Sequence, residues 1–298
     1  MQERGYFRKM VYIDYITFPD REKEYDYLLS MKRTCHDSFY PIKILSEKSF
    51  ERIDFEPITI LYGGNGSGKT TALNVIAEKL QLQRESVYNR SEFFEQYVSW
   101  CSVGLNEPIP KESCIITSDD VFDYMLNIRT VNNGIDRKRQ DLFEEFLDAK
   151  FSDFKFRSLD DYEQLKKVNF ARSKRGSQSK YVRQNLMDNV REFSNGESAF
   201  MYFSNKITEN ALFVLDEPEN SLSAERQLEL VKFLEDSARF FQCQFIISTH
   251  SPFLLSMRGA KIYDLDENPV DVKKWTELGT VRTYFDFFKK HEDEFERM

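Results

Sequence analysis

The residues Gly63-Gly64-Asn65-Gly66-Ser67-Gly68-Lys69-Thr70 have the types and spacing to hold a phosphate group. They fit G-x-x-x-x-G-K-[ST]. Glycines let successive backbone N–H groups turn toward one anion without a Cβ in the way. A helix starting at the loop would add the positive end of its dipole. Lys69 would reach the β- and γ-phosphates of a nucleoside triphosphate, and Thr70 would hold Mg²⁺.

Three further clusters carry chemistry. Asp216 and Glu217 stand together in Asp216-Glu217-Pro218-Glu219-Asn220. At a strand end, Asp216 would hold Mg²⁺ through its water shell and Glu217 would act as general base on an attacking water. His250, in Ser248-Thr249-His250-Ser251-Pro252, would donate to the γ-phosphate. Ser194-Asn195-Gly196-Glu197 opens a helix-compatible stretch that runs to Ile207. A serine and a glycine at a helix start make a second anion site.

The elements around these clusters read as follows. Ile58–Tyr62 is an apolar, β-branched run, hence a buried strand, and Thr71–Lys79 is helix-compatible. Ala211–Leu215 and Cys243–Ile247 are two more buried strands. Between them Ser223–Phe241 is an amphipathic helix with the stripe Leu230, Val231, Leu234, Ala238 and Phe241. Met10–Ile16 reads as a strand, and Pro41–Leu45 as a further candidate. Cys114–Thr117 reads as a strand ending at Ser118-Asp119-Asp120. Leu142, Phe143, Phe146 and Leu147 sit at helical spacing. Apolar strands alternating with helices predict an α/β core with a mostly parallel sheet. Ala171–Arg183 reads as a basic, flexible loop carrying Arg172, Lys174, Arg175, Lys180 and Arg183, a candidate phosphate or nucleic-acid contact. Asp264 and Asp266 read as an exposed turn, with a remnant metal site as the lesser alternative.

Composition narrows the class. The chain has 298 residues, 41% of them hydrophobic, and a net charge of −8. That permits a real core and argues against a generic nucleic-acid coat. No apolar run approaches membrane-spanning length, and Met1–Tyr6 lacks the apolar stretch of a signal peptide. The cysteines Cys35, Cys101, Cys114 and Cys243 are far apart, so a reduced, cytoplasmic setting and no zinc site are expected.

The order of these motifs resembles the ABC-type ATPases. Gly63–Thr70 matches the Walker A loop, Ser194–Glu197 the signature and Asp216-Glu217 the Walker B end. Asn220-Ser221-Leu222-Ser223 matches the D-loop, and His250 the switch histidine. Glu219, where transporters usually carry Thr, and Ser251, where they carry Asp, point toward the small soluble ATPases related to the SMC/RecF/OLD branch. Val281–Phe288 is similar to the tail helix of that group.

The resemblance implies one domain over 1–298. A nucleotide-binding lobe would span about 1–85 and 205–298, with an antiparallel N-terminal β part. A helical signature lobe would be inserted at about 86–204. It implies an ATP site of Gly63, Asn65, Gly66, Ser67, Gly68, Lys69, Thr70 and Thr71. Mg²⁺ would sit on Thr70 and Asp216. A head-to-tail homodimer would bring Ser194 and Gly196 of a second copy onto the γ-phosphate. The family's Q-loop glutamine is absent, and Asp119 is the candidate Mg²⁺ or water contact in its place. Nothing resembles a long coiled coil, and the roughly 48 residues after His250 are expected to be too few for an OLD-type nuclease domain. The expected role is a switch controlling a partner protein (an effector or nuclease encoded nearby) or DNA, in repair or defence against foreign DNA. A transporter subunit and a non-hydrolysing switch are the alternatives.

Overall fold

The computed structural model describes residues 11–31, 36, 38–153, 162–173, 177–186 and 195–296. The chain divides into two units, Met1–Phe122 with Asn195–Met298, and Asp123–Ser194.

The first unit begins with β1 (Ile13–Thr17), α1 (Arg21–Ser30), β2 (Arg52–Asp54), β3 (Ile58–Tyr62), α2 (Lys69–Lys79) and α3 (Phe94–Trp100). Next come β4 (Ser102–Leu105), β5 (Cys114–Thr117) and the start of α4 (Ser118–Phe151). α5 (Tyr162–Arg172) and α6 (Gln178–Asn185) belong to the second unit. The chain then returns to the first unit with α7 (Asn195–Lys206), β6 (Leu212–Asp216), α8 (Ala224–Phe240), β7 (Gln244–Ser248) and α9 (Pro252–Leu255). It closes with β8 (Lys261–Asp264), β9 (Asp271–Lys273), α10 (Gly279–Lys290) and α11 (Glu292–Phe295).

The main sheet has the order β5-β6-β7-β3-β8-β9. Its pairs are parallel except β8 with β9. Every residue of β3, β6 and β7 is buried. Parallel strands covered on both faces need such unbroken Ile, Leu, Val and Phe runs. Register aligns the C-terminal ends: Leu61 pairs with Ser248, Ser248 with Asp216, and Asp216 with Thr117. The residues that leave these strands therefore emerge side by side.

A second, antiparallel sheet has the order β2-β1-β4. Gln244 rivets it to the main sheet. Its Oε1 accepts the Tyr12 and Ile13 N–H groups at 2.7 and 3.0 Å, and its Nε2 donates to Ile13 O at 3.0 Å. In the second unit, Leu142 and Phe146 pack with Ala171, Tyr181 and Val182.

Several expectations need correction. Pro41–Leu45 is a set of turns rather than a strand. Lys43 has φ +73, and Ile42 and Leu45, three apart, both point inward, a spacing that suits a turn and not alternation. By contrast, β5 does end at Ser118-Asp119-Asp120, which opens α4: Thr117 caps the helix by accepting the Asp120 N–H at 3.4 Å, and Asp120 accepts the Thr117 N–H at 2.7 Å. Of the basic segment, Arg172 ends α5, while Lys180 and Arg183 lie on α6. Ser177 caps α6 by accepting the Lys180 N–H, and Tyr181 and Val182 are buried, so a loop cannot persist there. Lys174, Arg175 and Gly176 lie outside the described residues, as does Cys35. On α8 the inward face is Leu230, Leu234 and Ser237, and Phe241 is exposed past its end. β4 and β5 fall inside the span 86–204 but build the sheets of the first unit. Among the described residues no helix is long and apolar enough to cross a membrane.

Candidate active site

The glycine loop joins β3 to α2, as its spacing predicts, with the helix starting at Lys69. Gly68 is the N-cap with φ +99, and a Cβ there would lie 3.0 Å from Ile44 Cγ2. Only glycine fits both the backbone and the space. Asn65 and Gly66 form the exposed tip, and Thr70 is exposed beside them. Ser67, Lys69 and Thr71 are buried, and Ser67 Oγ has no protein partner. Exposed amides at a helix N-terminus make a cradle for an anion.

Lys69 is 4% exposed and curls back over the loop. Its Nζ donates to Gly63 O at 2.8 Å and Gly64 O at 3.2 Å, and meets His250 Nε2 at 2.9 Å. Burial pushes its ammonium below the ordinary lysine range, while Glu217, Asp216, Asp266 and Glu219 pull it back.

The parallel register sets the carboxylates next to this lysine. Asp216 Oδ1 accepts the Thr70 hydroxyl at 3.3 Å and also the Ser248 hydroxyl. Burial raises the Asp216 carboxyl, and the two hydroxyls oppose that rise. A carboxylate oxygen beside a threonine hydroxyl is a hard-oxygen set that fits Mg²⁺. Glu217 follows with φ +49, in the left-handed region. Its N–H donates to Ser248 O at 3.0 Å and Ser248 Oγ at 3.1 Å, which holds this strained turn. Glu217 Oε1 lies 3.3 Å from His250 Nε2 and 3.9 Å from Lys69 Nζ. Its Oε2 accepts from Asn220 Nδ2 at 3.2 Å. Lys69, Glu217 and His250 thus meet at one point, although their motifs are spread over the chain.

The Asn220–Ser223 turn and the start of α7 are also neighbours. A Cβ on Gly196 would stand 3.5 Å from Ser221 O, and Arg226 pairs with Glu197 at 3.4 Å. Leu222 is buried and Ser223 caps α8. Ser194 and the Asn195 side chain lie outside the described residues. Asp119 is exposed in the first turn of α4, while Asp120 is the buried one. Arg172 donates to Lys150 O at 3.4 Å and to Ser152 O, whereas Lys180 and Arg183 are exposed.

Two site residues escaped sequence reasoning. Asp266 accepts the Gly64 N–H with both oxygens, at 2.8 and 2.9 Å. The signal was register: Tyr62 pairs with Asp264, so two residues on, Gly64 meets Asp266. Asp264 itself is buried and pairs with Lys273 at 3.0 Å, so the two aspartates are not one exposed turn. Among the described residues no cluster of three or more His, Cys, Asp or Glu could hold a metal. Glu219 is the second, with three donors on one oxygen.

Fold and site together define a P-loop nucleotide-binding α/β protein. A protein-family profile described as "ABC transporter" matches residues 52–220, more than half of the chain. The chain belongs to this family, and it is an ATPase. A second profile, "AAA ATPase domain", matches residues 193–255. A search of curated proteins found no match. Among solved structures, the chain is similar to a dimeric bacterial ABC transporter cassette at 12% identity, covering 75% of this chain and 88% of that one, with TM-score 0.37. It is also similar to the Smc head domain bound to the C-terminal domain of ScpA from Pyrococcus furiosus. That match has 12% identity, 79% and 95% coverage, and TM-score 0.36.

Proposed function

We propose that the chain works as an ATP-driven switch in a head-to-tail homodimer. The observation that carries this is the meeting of Lys69, Glu217 and His250 at the aligned ends of β3, β6 and β7. ATP would enter over Gly63–Thr71, and Lys69 would leave the Gly63 and Gly64 carbonyls for the β- and γ-phosphates. Thr70 and Asp216 would hold Mg²⁺, which neutralises phosphate charge. Glu217 takes the proton of the attacking water as the bond from the γ-phosphorus to the leaving oxygen breaks. His250 donates to the γ-phosphate oxygens. Ser194 and Gly196 of a second copy close the site, and a C₂ arrangement makes two such sites at once.

The output of this cycle is control of a partner protein or of DNA. Glu219 in place of the transporters' Thr supports a soluble role. Lys180 and Arg183, exposed on α6, supply a basic edge for the DNA form of this reading.

The test is Glu217→Gln with Mg-ATP, followed by light scattering. The expected result is an ATP-dependent doubling of mass that Ser194→Arg abolishes. A Glu217→Gln protein that stays monomeric at saturating ATP sinks the sandwich reading.

A further inference from the structure

One carboxylate oxygen ties two loops of the site together. Glu219 Oε1 accepts the Thr249 hydroxyl at 2.7 Å, the His250 N–H at 2.7 Å and the Ser251 N–H at 3.2 Å. Glu219 leaves the same turn as Glu217, with only Pro218 between them. Three donors converging on one oxygen make a charge-assisted clamp, stronger than neutral hydrogen bonds. The other oxygen, Oε2, is buried and has no protein partner.

The clamped segment is held on its far side as well. Ser251 Oγ donates to Gln227 Oε1 at 2.6 Å and accepts the Phe253 N–H at 3.2 Å. Thr249 is fully buried. The His250 backbone is therefore fixed between Glu219 and the start of α9, and its ring projects to Lys69 and Glu217.

We propose that Glu219 is the positioning residue for His250: it sets the imidazole at the distance from Glu217 and the γ-phosphate that hydrolysis needs. The proposal rests on the reading of His250 as the γ-phosphate donor. Base and histidine are then placed by one turn, so they keep their mutual distance when the turn shifts. A misplacement of about 1 Å costs on the order of 10²-fold in rate.

The experiment compares wild type, Glu219→Ala, His250→Ala and the double variant by kcat and KM for Mg-ATP, with thermal unfolding as a folding check. Glu219→Ala should lower kcat by roughly 10- to 100-fold and move KM by less than about 3-fold. Glu219→Gln, whose amide oxygen accepts the same N–H donors, should stay within about 5-fold of wild type. In the His250→Ala background, Glu219→Ala should cost less than about 2-fold more, because both act through one group. Multiplicative losses in the double variant overturn the inference, as does an unchanged kcat in Glu219→Ala. If Glu219→Ala fails to fold, Glu219→Asp, one methylene shorter, takes its place with the same expectation. An unchanged kcat in His250→Ala, with the wild type active, defeats the reading of His250 itself and the inference with it.

Discussion

Lys69 Nζ meets His250 Nε2 at 2.9 Å, although the two residues are 181 positions apart. The same histidine nitrogen lies 3.3 Å from Glu217. In this arrangement the three groups expected to act on ATP are engaged with one another. Nucleotide binding must exchange those contacts for phosphate contacts.

Gly68 is the tightest point of the loop. Gly68→Ala forces a Cβ onto a backbone at φ +99 and within 3.0 Å of Ile44. The strain should cost about 1–3 kcal/mol, seen as a lower midpoint in denaturant unfolding. Binding of a fluorescent ATP analogue should be lost as well. A variant that keeps both stability and binding removes this account of the loop.

Asp266 places a carboxylate on Gly64 where the anionic substrate is expected. Asp266→Asn keeps an acceptor for the Gly64 N–H and removes the charge. ATP should bind about 2- to 5-fold more tightly at low salt, with the gain shrinking in 0.5 M salt. Isothermal titration at two ionic strengths measures it, and weaker binding at both would show that the charge does not oppose the triphosphate.

Glu24 anchors the turn that carries Ile44 and Leu45 against Gly68. Its Oε2 accepts the Lys43 N–H at 2.8 Å and the Ser46 hydroxyl at 2.6 Å, and its Oε1 is buried without a partner. Burial raises its carboxyl above the ordinary value, with both hydrogen bonds opposing. A raised folded pKa means that the contribution of Glu24 to stability is fullest below its ordinary value of about 4.5 and is lost as pH rises through the folded value. Glu24→Gln keeps an acceptor and never ionises. It should raise the melting temperature at pH 7, and the gain should fade as pH falls toward 4.5. Calorimetry across pH 4–8 decides; a pH-independent difference contradicts the assignment.

The DNA form of the proposed function gives a salt test. Lys180→Gln with Arg183→Gln should weaken duplex binding at low salt and reduce the magnitude of the log–log salt slope by about two. An unaltered slope, or no binding by the wild type, removes DNA as the output of these residues.

Local motifs made most of the site legible in the sequence. Gly63–Thr70, Asp216-Glu217 and His250 each follow a strand whose apolar run is visible without a structure. The parallel register then aligns them, and register is a property of pairing rather than of any one strand. That is why Asp266 was missed: nothing near it in sequence announces Gly64. In the sequence Glu219 marks only a departure from transporters; its three donors come from a turn some thirty residues further on. The candidate strand at Pro41–Leu45 folds as turns because Lys43 adopts a positive φ, which composition does not forecast. Helix α6 was hidden by the glycine and serines before it, although Ser177 in the cap position was the available signal.

The position of β3 has a consequence for how the protein is made. Its two neighbours in the sheet are β7 and β8, and β8 ends at Asp264, about 200 residues after Tyr62. At 5–20 residues per second, roughly 10–40 s of synthesis separate the strand from its partners. Until then the strand that precedes the phosphate loop is an apolar segment with unmet backbone groups, a natural client for chaperones. The ability to hold nucleotide therefore arrives only after β7 and β8 have been made, long after the phosphate loop itself.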